Sequence, residues 1–166
     1  MYNSVIHGQF AEELAELHDG SISLFVTLPV FRGLMLSAPL AASLHTFEAL
    51  IGEHLAYLDS ILGDVLVRGD RADGSLTRSL FHSLAHIRMR PASASRDEEI
   101  AGVVEQAQLF LMGSCSFALR FARQAGVDRS VHVLEESMSR IGTFALQLVS
   151  PNGERDIVPS WSDAVA

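Results

Sequence analysis

The chain has one cysteine, Cys115, among 166 residues, so no disulfide can form within it. A lone thiol in an apolar helix behaves as a small hydrophobe, which places Cys115 in the core. Residues 1–7 lack the charged and apolar regions of a secretory signal, and together with the absent disulfide this points to a reducing, cytoplasmic setting. Basic residues are few, 12 against 20 acidic ones, and the net charge is −8. They are scattered, so no basic stripe can neutralise a row of phosphates, and nucleic-acid binding is excluded. The longest apolar stretch, Ile22 to Leu36, is broken by Thr27, Pro29, Arg32 and Gly33. A bilayer span needs about 20 mainly apolar residues, so no membrane segment is expected. A Gly-rich phosphate loop, zinc-finger spacing and a serine-nucleophile elbow are all missing, which leaves no cofactor and no catalytic residue to assign.

What the sequence does contain is helical periodicity. Apolar residues recur at three- and four-residue spacing in four seams, each of which stripes one helix face. The first runs Phe10, Leu14, Leu17, Ser21, Leu24, Leu28, and the second Leu40, Leu44, Phe47, Ile51, Leu55, Leu58, Leu62. The third runs Ile100, Val104, Ala107, Leu111, Ser114, Ala118, Phe121, Ala125, and the fourth Val131, Leu134, Met138, Ile141, Ala145, Leu148. None of the four carries a carboxylate where a four-helix metal protein would need one. The spacing predicts an all-α, antiparallel four-helix bundle in a single domain over residues 1–150.

β-branched and aromatic residues would allow a strand over Ile22 to Phe31, but the first seam keeps helical phase through Leu28, and Pro29 should kink or end the helix. Phe25, Val26, Val30 and Phe31 fit no single stripe, so a second surface should cover them, most simply in a homodimer. Residues 63–97 read as a crossover. Arg68 to Gly74 forms a polar turn, an additional short helix runs from Ser75 to about Met89, and Pro91 to Ser95 is a loop. Such a long connection joins opposite ends of a bundle, whereas Gly126 to Arg129 joins neighbours. Ser150 to Gly153 stops the last helix, and residues 151–166 form a loosely ordered tail from which Ile157, Val158 and Trp161 can dock.

The polar residues have mostly structural readings. Gln108 lies beside the third seam and should hydrogen-bond within the core. Glu12, Glu13, Glu16, Glu98, Glu99 and Glu105 suit solvated helix starts, where a carboxylate interacts favourably with the helix dipole. Seven histidines are present: His7, His18, His45, His54, His82, His86 and His132. His82 and His86 stand at i and i+4, a spacing that can chelate a metal, but a third ligand would have to come from His45, Glu48 or His54, and no spacing rule links them. His45 and Glu48 reverse the Glu-x-x-His order of bundle metal helices.

Several signposts fall in common register over Phe10 to Leu62 and again over Ile100 to Leu148. They are Phe10, Leu28-Pro29, Ser37 with Leu40, the Leu55, Leu58, Ile61, Leu62 pattern, Phe121-Ala122 running to Gly126, and Leu134-Glu135-Glu136. In this register the chain resembles the YciE/YciF-type branch of the ferritin-like superfamily, small bacterial bundles associated with stress responses. The resemblance implies a ferritin-like bundle and also shows what has changed. Where the family has its first-helix Ala-Glu, this chain has Gly20-Ser21, and where it has a His and Glu three apart it has Phe47 and Leu50. The third-helix Glu-His pair matches Gln108-Leu109, and the last-helix acidic pair matches Ile141 and Ala145. A di-iron site needs hard oxygen ligands from all four helices, and these residues remove nearly all of them.

The expected function is therefore a non-enzymatic structural or interaction protein, stress-associated by resemblance, that pairs with a second copy or an unidentified protein partner. One alternative is a metal-dependent oxidase or hydrolase using relocated His82, His86, His45 and Glu48, with His18 in reserve. Another is a binder of a small hydrophobic molecule in the bundle centre, where Ser21, Gly113 and Ser114 replace bulk.

Overall fold

The computed structural model describes residues 2–63, 74–144, 147–149 and 155–157. Five helices account for most of them: α1 (Tyr2–Leu34), α2 (Ala38–Leu62), α3 (Ser75–Arg88), α4 (Ala94–Ala125) and α5 (Asp128–Thr143). Two short strands follow, β1 (Gln147–Val149) and β2 (Arg155–Ile157), paired antiparallel with Leu148 opposite Asp156. Helix α1 packs on α2 and α4, α5 packs on the same two, and α3 lies across α1 and α4. Side-chain pairs fix the directions. His18 meets Asp59 while Arg32 meets Glu48, and Tyr57 meets Glu136 while Phe47 meets Phe144, so α1 and α5 both run antiparallel to α2. The result is an all-helical bundle, and none of its described helices is long and apolar enough to cross a membrane.

Local chemistry sets the helix ends. Ser37 caps α2 by accepting from Leu40 N, and Ser93 caps α4 by accepting from Arg96 N, each satisfying an orphan N–H of a first turn. Gly126 ends α4 with φ of 71°, a left-handed geometry that suits a residue without Cβ. Pro29 does not end α1, which continues to Leu34. One missing backbone bond is tolerated there because the face around it is fully packed, with Leu24, Leu28 and Phe31 all buried. Phe31 therefore belongs to the core, Val30 packs against that core, and of the surplus quartet only Phe25 and Val26 stay exposed.

The first seam is buried throughout, whereas the other three shift. On α2 the buried positions after Ile51 are His54, Leu58 and Ile61, not Leu55 and Leu62. At about 100° per residue, position 54 lies closer to the centre of the stripe through Leu40 and Leu58 than position 55 does. Geometry thus turns a polar residue inward and leaves a leucine at the edge. On α5, Ser137 is buried in place of Met138 for the same reason. On α4, Cys115 and Ala122 replace Ser114, Phe121 and Ala125, because a helix held by α1, α3 and α5 buries a broad arc. The fourth seam also ends early. Phe144 leaves the helix with extended backbone angles and stacks on Phe47 at 4.4 Å; Leu148 lies in β1, and Ala145 is outside the described residues.

The crossover contains its expected short helix, and α4 begins at Ala94, inside the segment read as a loop. Of the expected Arg68 to Gly74 turn only Gly74, which precedes α3, is among the described residues, and most of the C-terminal tail lies outside them; the three residues of β2 are paired with β1, which lies against α2. Close approach of α3 to α1 depends on Gly20, where a Cβ would stand 3.2 Å from the Leu76 side chain.

The first turn of α4 locks the α1–α2 corner. Asp97 is buried and accepts from Leu36 N at 3.1 Å and from Ser37 N at 2.8 Å, while Arg96 donates to the Leu34 carbonyl and, at 3.3 Å, to that of Arg90. Hydrogen bonds to an ionised acceptor are worth more than neutral ones. Asp97→Ala should lower the unfolding free energy by about 2 kcal/mol in urea titration, with Asp97→Asn losing less. A change below roughly 0.5 kcal/mol, typical of an indifferent surface substitution, would show that the corner does not need this carboxylate.

Candidate functional site

The most distinctive chemistry lies midway along the bundle, where three helices each contribute one buried polar side chain. They are Ser21 from α1, His54 from α2 and Ser137 from α5. His54 is 1% exposed, with Nε2 3.0 Å from Ser21 Oγ and Nδ1 hydrogen-bonded to Ser137 Oγ. The Ser21 hydroxyl proton is already committed, donated at 2.7 Å to the Leu17 carbonyl. Hydrogen-bond bookkeeping then assigns the rest: Nε2–H donates to Ser21 Oγ, and Nδ1 accepts from the Ser137 hydroxyl. Both ring nitrogens of a neutral imidazole are used.

Burial makes protonation of this ring costly and pulls its pKa from 6.5 down to about 4, with the like charge of His18 acting in the same direction. His18 itself is held by Asp59, Nε2 to Oδ1 at 2.8 Å. One layer away, Gln108 lies in the core as its sequence position suggested. Its Nε2 donates to the Ile141 carbonyl at 2.8 Å and to that of Phe144 at 2.9 Å, closing the C-terminal turn of α5. Cys115 is fully buried, its thiol pushed up to about 12 by burial, which leaves it a packing group and not a nucleophile.

The positions that the resemblance matches to ligands are not equivalent in space. Ser21, Phe47, Gln108 and Ile141 are buried, Leu50 is half-buried, and Leu109 is 41% exposed on the outside of α4. Ala145 lies beyond α5 and outside the described residues. A ligand at position 109 could not point inward, so the third-helix pair reaches the interior only through Gln108. What fills the centre is the hydroxyls of Ser21 and Ser137, an amide, an imidazole and hydrocarbon. A di-iron site needs several carboxylates converging from all helices, and this donor set does not fit it.

The relocated-ligand set fares differently from the core. His45 and Glu48 sit on α2 beside Arg32, whose Nη2 is 3.4 Å from Glu48 Oε2. His86 lies on α3 and shares Glu99 with Arg90, at 2.9 and 2.6 Å, and His82 is exposed on the same helix. Helix α3 packs on α1 and α4, so these pairs are not brought together. Among the described residues, no group of three or more His, Cys, Asp and Glu side chains is arranged to hold a metal ion. Gly113 faces outward and Ser114 is only half-buried, so neither opens room in the bundle centre.

Sequence reasoning named His54 only as a spare ligand and missed its buried role. The available signal was that Ile51, His54 and Leu58 obey helical spacing as well as Ile51, Leu55 and Leu58 do. Ser21 in the first seam also called for a partner, since buried hydroxyls are hydrogen-bonded.

Linkage gives the pH dependence. The unfolded chain takes up the His54 proton near pH 6.5, while the folded chain resists until about 4. Between those values the unfolded state binds more protons, so the contribution of His54 is fully present above pH 6.5 and is lost as pH falls, at up to roughly 1.4 kcal/mol per pH unit. In urea titrations from pH 7 to pH 4.5, His54→Leu combined with Ser137→Ala should flatten the slope by about one proton; an unchanged slope would mean that this ring is not the buried titrating group. Comparison with protein-family models, curated proteins and solved structures finds no match to this chain.

Proposed function

We propose that this chain is a ferritin-like bundle related to the YciE/YciF-type branch, built from α1, α2, α4 and α5 with α3 added in the crossover, and that its interior has exchanged metal ligation for packing. In this reading it works as a non-enzymatic structural or interaction protein of the cytoplasm, and it pairs with a second copy through apolar helix faces. The order of elements supports the fold: two antiparallel pairs, α1 with α2 and α4 with α5, are joined by a crossover long enough to traverse the bundle. A stress-associated role comes with the resemblance, and fold alone does not fix it.

The observation that carries the reading is the Ser21–His54–Ser137 node. Inward carboxylates without a metal would be buried like charges, each costly to desolvate. A neutral imidazole satisfied on both sides avoids that cost, and one of its two partners, Ser21, stands at a position that the resemblance matches to a ligand. The exposed apolar residues supply the reason for association: Ile22, Phe25 and Val26 on α1, and Leu109 and Phe117 on α4, are between 37% and 55% exposed.

Protein purified without a histidine tag and analysed for metals by mass spectrometry should contain iron, manganese and zinc well below one ion per chain. One or two ions per chain that survive dialysis against a chelator would contradict the proposal.

A further inference from the structure

The outer face of α4 has a pattern that the core does not require. Glu98, Gly102, Glu105, Leu109, Gly113, Ser116 and Arg120 follow one another at three- and four-residue steps, so they form one stripe along the helix. Glu98, Leu109, Gly113, Ser116 and Arg120 are exposed, and Gly102 and Glu105 are half-buried. The stripe borders an open groove of about 810 Å3 between α4 and α5, whose other walls include Met112, Leu119, Met138 and Gly142. Gly102 and Gly113 leave open space, since a Cβ at either would meet nothing within 4 Å.

Apart from Glu105 and Gly113, four residues to either side, the stripe is symmetric about Leu109. Gly102 and Ser116 stand seven residues to either side of it, and Glu98 and Arg120 stand eleven residues to either side. The two charged residues are opposite in sign and about 33 Å apart along the helix. Neither has an ion-pair partner among the described residues; Arg120 lies over the Phe121 ring, 5.7 Å from its centroid. The other charges on this side are Glu105, half-buried within the stripe, and Arg123, paired with Glu135.

We propose that this face pairs with the same face of a second copy, antiparallel, about a two-fold axis at Leu109. The inference rests on the proposed association through apolar faces and names the face. In that arrangement Leu109 meets its own copy, the small residues Gly102 and Ser116 lie opposite one another and let the backbones approach, and Glu98 meets Arg120 twice. A two-fold interface must be self-complementary, and a stripe acidic at one end and basic at the other satisfies this only when the helices run in opposite directions, which also sets Glu105 opposite Gly113 and away from its own copy. The exposed trio on α1 lacks such a pattern. Phe25 is seated against Gly52, at 3.3 Å from a Cβ built there, and Arg32 is taken up by Glu48.

The test is sedimentation of the full chain over a range of concentrations at physiological ionic strength, with four variants. Glu98→Arg or Arg120→Glu alone puts like charges opposite one another twice, and each should weaken the dimer roughly tenfold or more. The two together should restore it. Gly113→Leu, at a position where an added Cβ meets nothing within 4 Å, should weaken the dimer while the far-ultraviolet circular dichroism stays unchanged. A wild-type chain that remains monomeric overturns this inference and the proposed association alike. A dimer that none of the variants alters overturns only the assignment to α4. A monomer carrying a co-purified apolar molecule in the groove overturns it in favour of ligand binding. The metal content of the same samples reads the lost-site proposal separately.

Discussion

A histidine ring that must stay uncharged in the middle of the bundle is the constraint on which the rest of the structure depends. His54 is enclosed by three helices, and each of its nitrogens needs a partner in a definite direction. Ser21 supplies one and Ser137 the other, so α1 and α5 are held in register against α2 at a single level. Sliding any of the three by one helical turn would leave a buried donor or acceptor unpaired, at a cost of about 1–3 kcal/mol per group. Hydrocarbon around the node tolerates such slips far better, because apolar contacts are not directional. We regard the node as the element that selects one register among several equally greasy ones, the best-attested use of a buried polar group.

Two other polar devices act at the ends of the same helices. Gln108 ties α4 to the last carbonyls of α5, and the Phe144 ring then folds onto Phe47, so the chain leaves the bundle at a fixed point. Arg96 and Asp97 do the equivalent for the corner between α1 and α2. Arg96, Asp97 and Gln108 thus spend their buried polarity on backbone that would otherwise be orphaned at a helix end. The interior is thus specified by a few directional contacts set in an apolar matrix, and the surface retains the apolar residues that those contacts do not use.

The fold was largely legible in the sequence because amphipathic periodicity over long helices is a strong signal, and the first seam, the crossover helix and the Gly126 stop were each written in it. The site was not. Choosing Leu55 over His54 and Met138 over Ser137 followed hydrophobicity, whereas burial follows angular position, and at these two places the criteria disagree. The early end of α5 was equally hidden, since it depends on Gln108 and Phe47, residues distant in sequence that meet only after folding. A buried polar network is a property of three-dimensional neighbours, and a single chain read linearly shows its members without showing that they touch.

The central claim, that a neutral histidine between two serines holds the interior of the bundle in register, is tested most directly by nitrogen-detected magnetic resonance of the His54 ring. The account predicts a single Nε2–H tautomer that does not titrate between pH 8 and pH 5 and is unmoved by added iron(II), manganese(II) or zinc(II). A ring that titrates near its ordinary pKa of 6.5, or a resonance that shifts or broadens on metal addition, would contradict it.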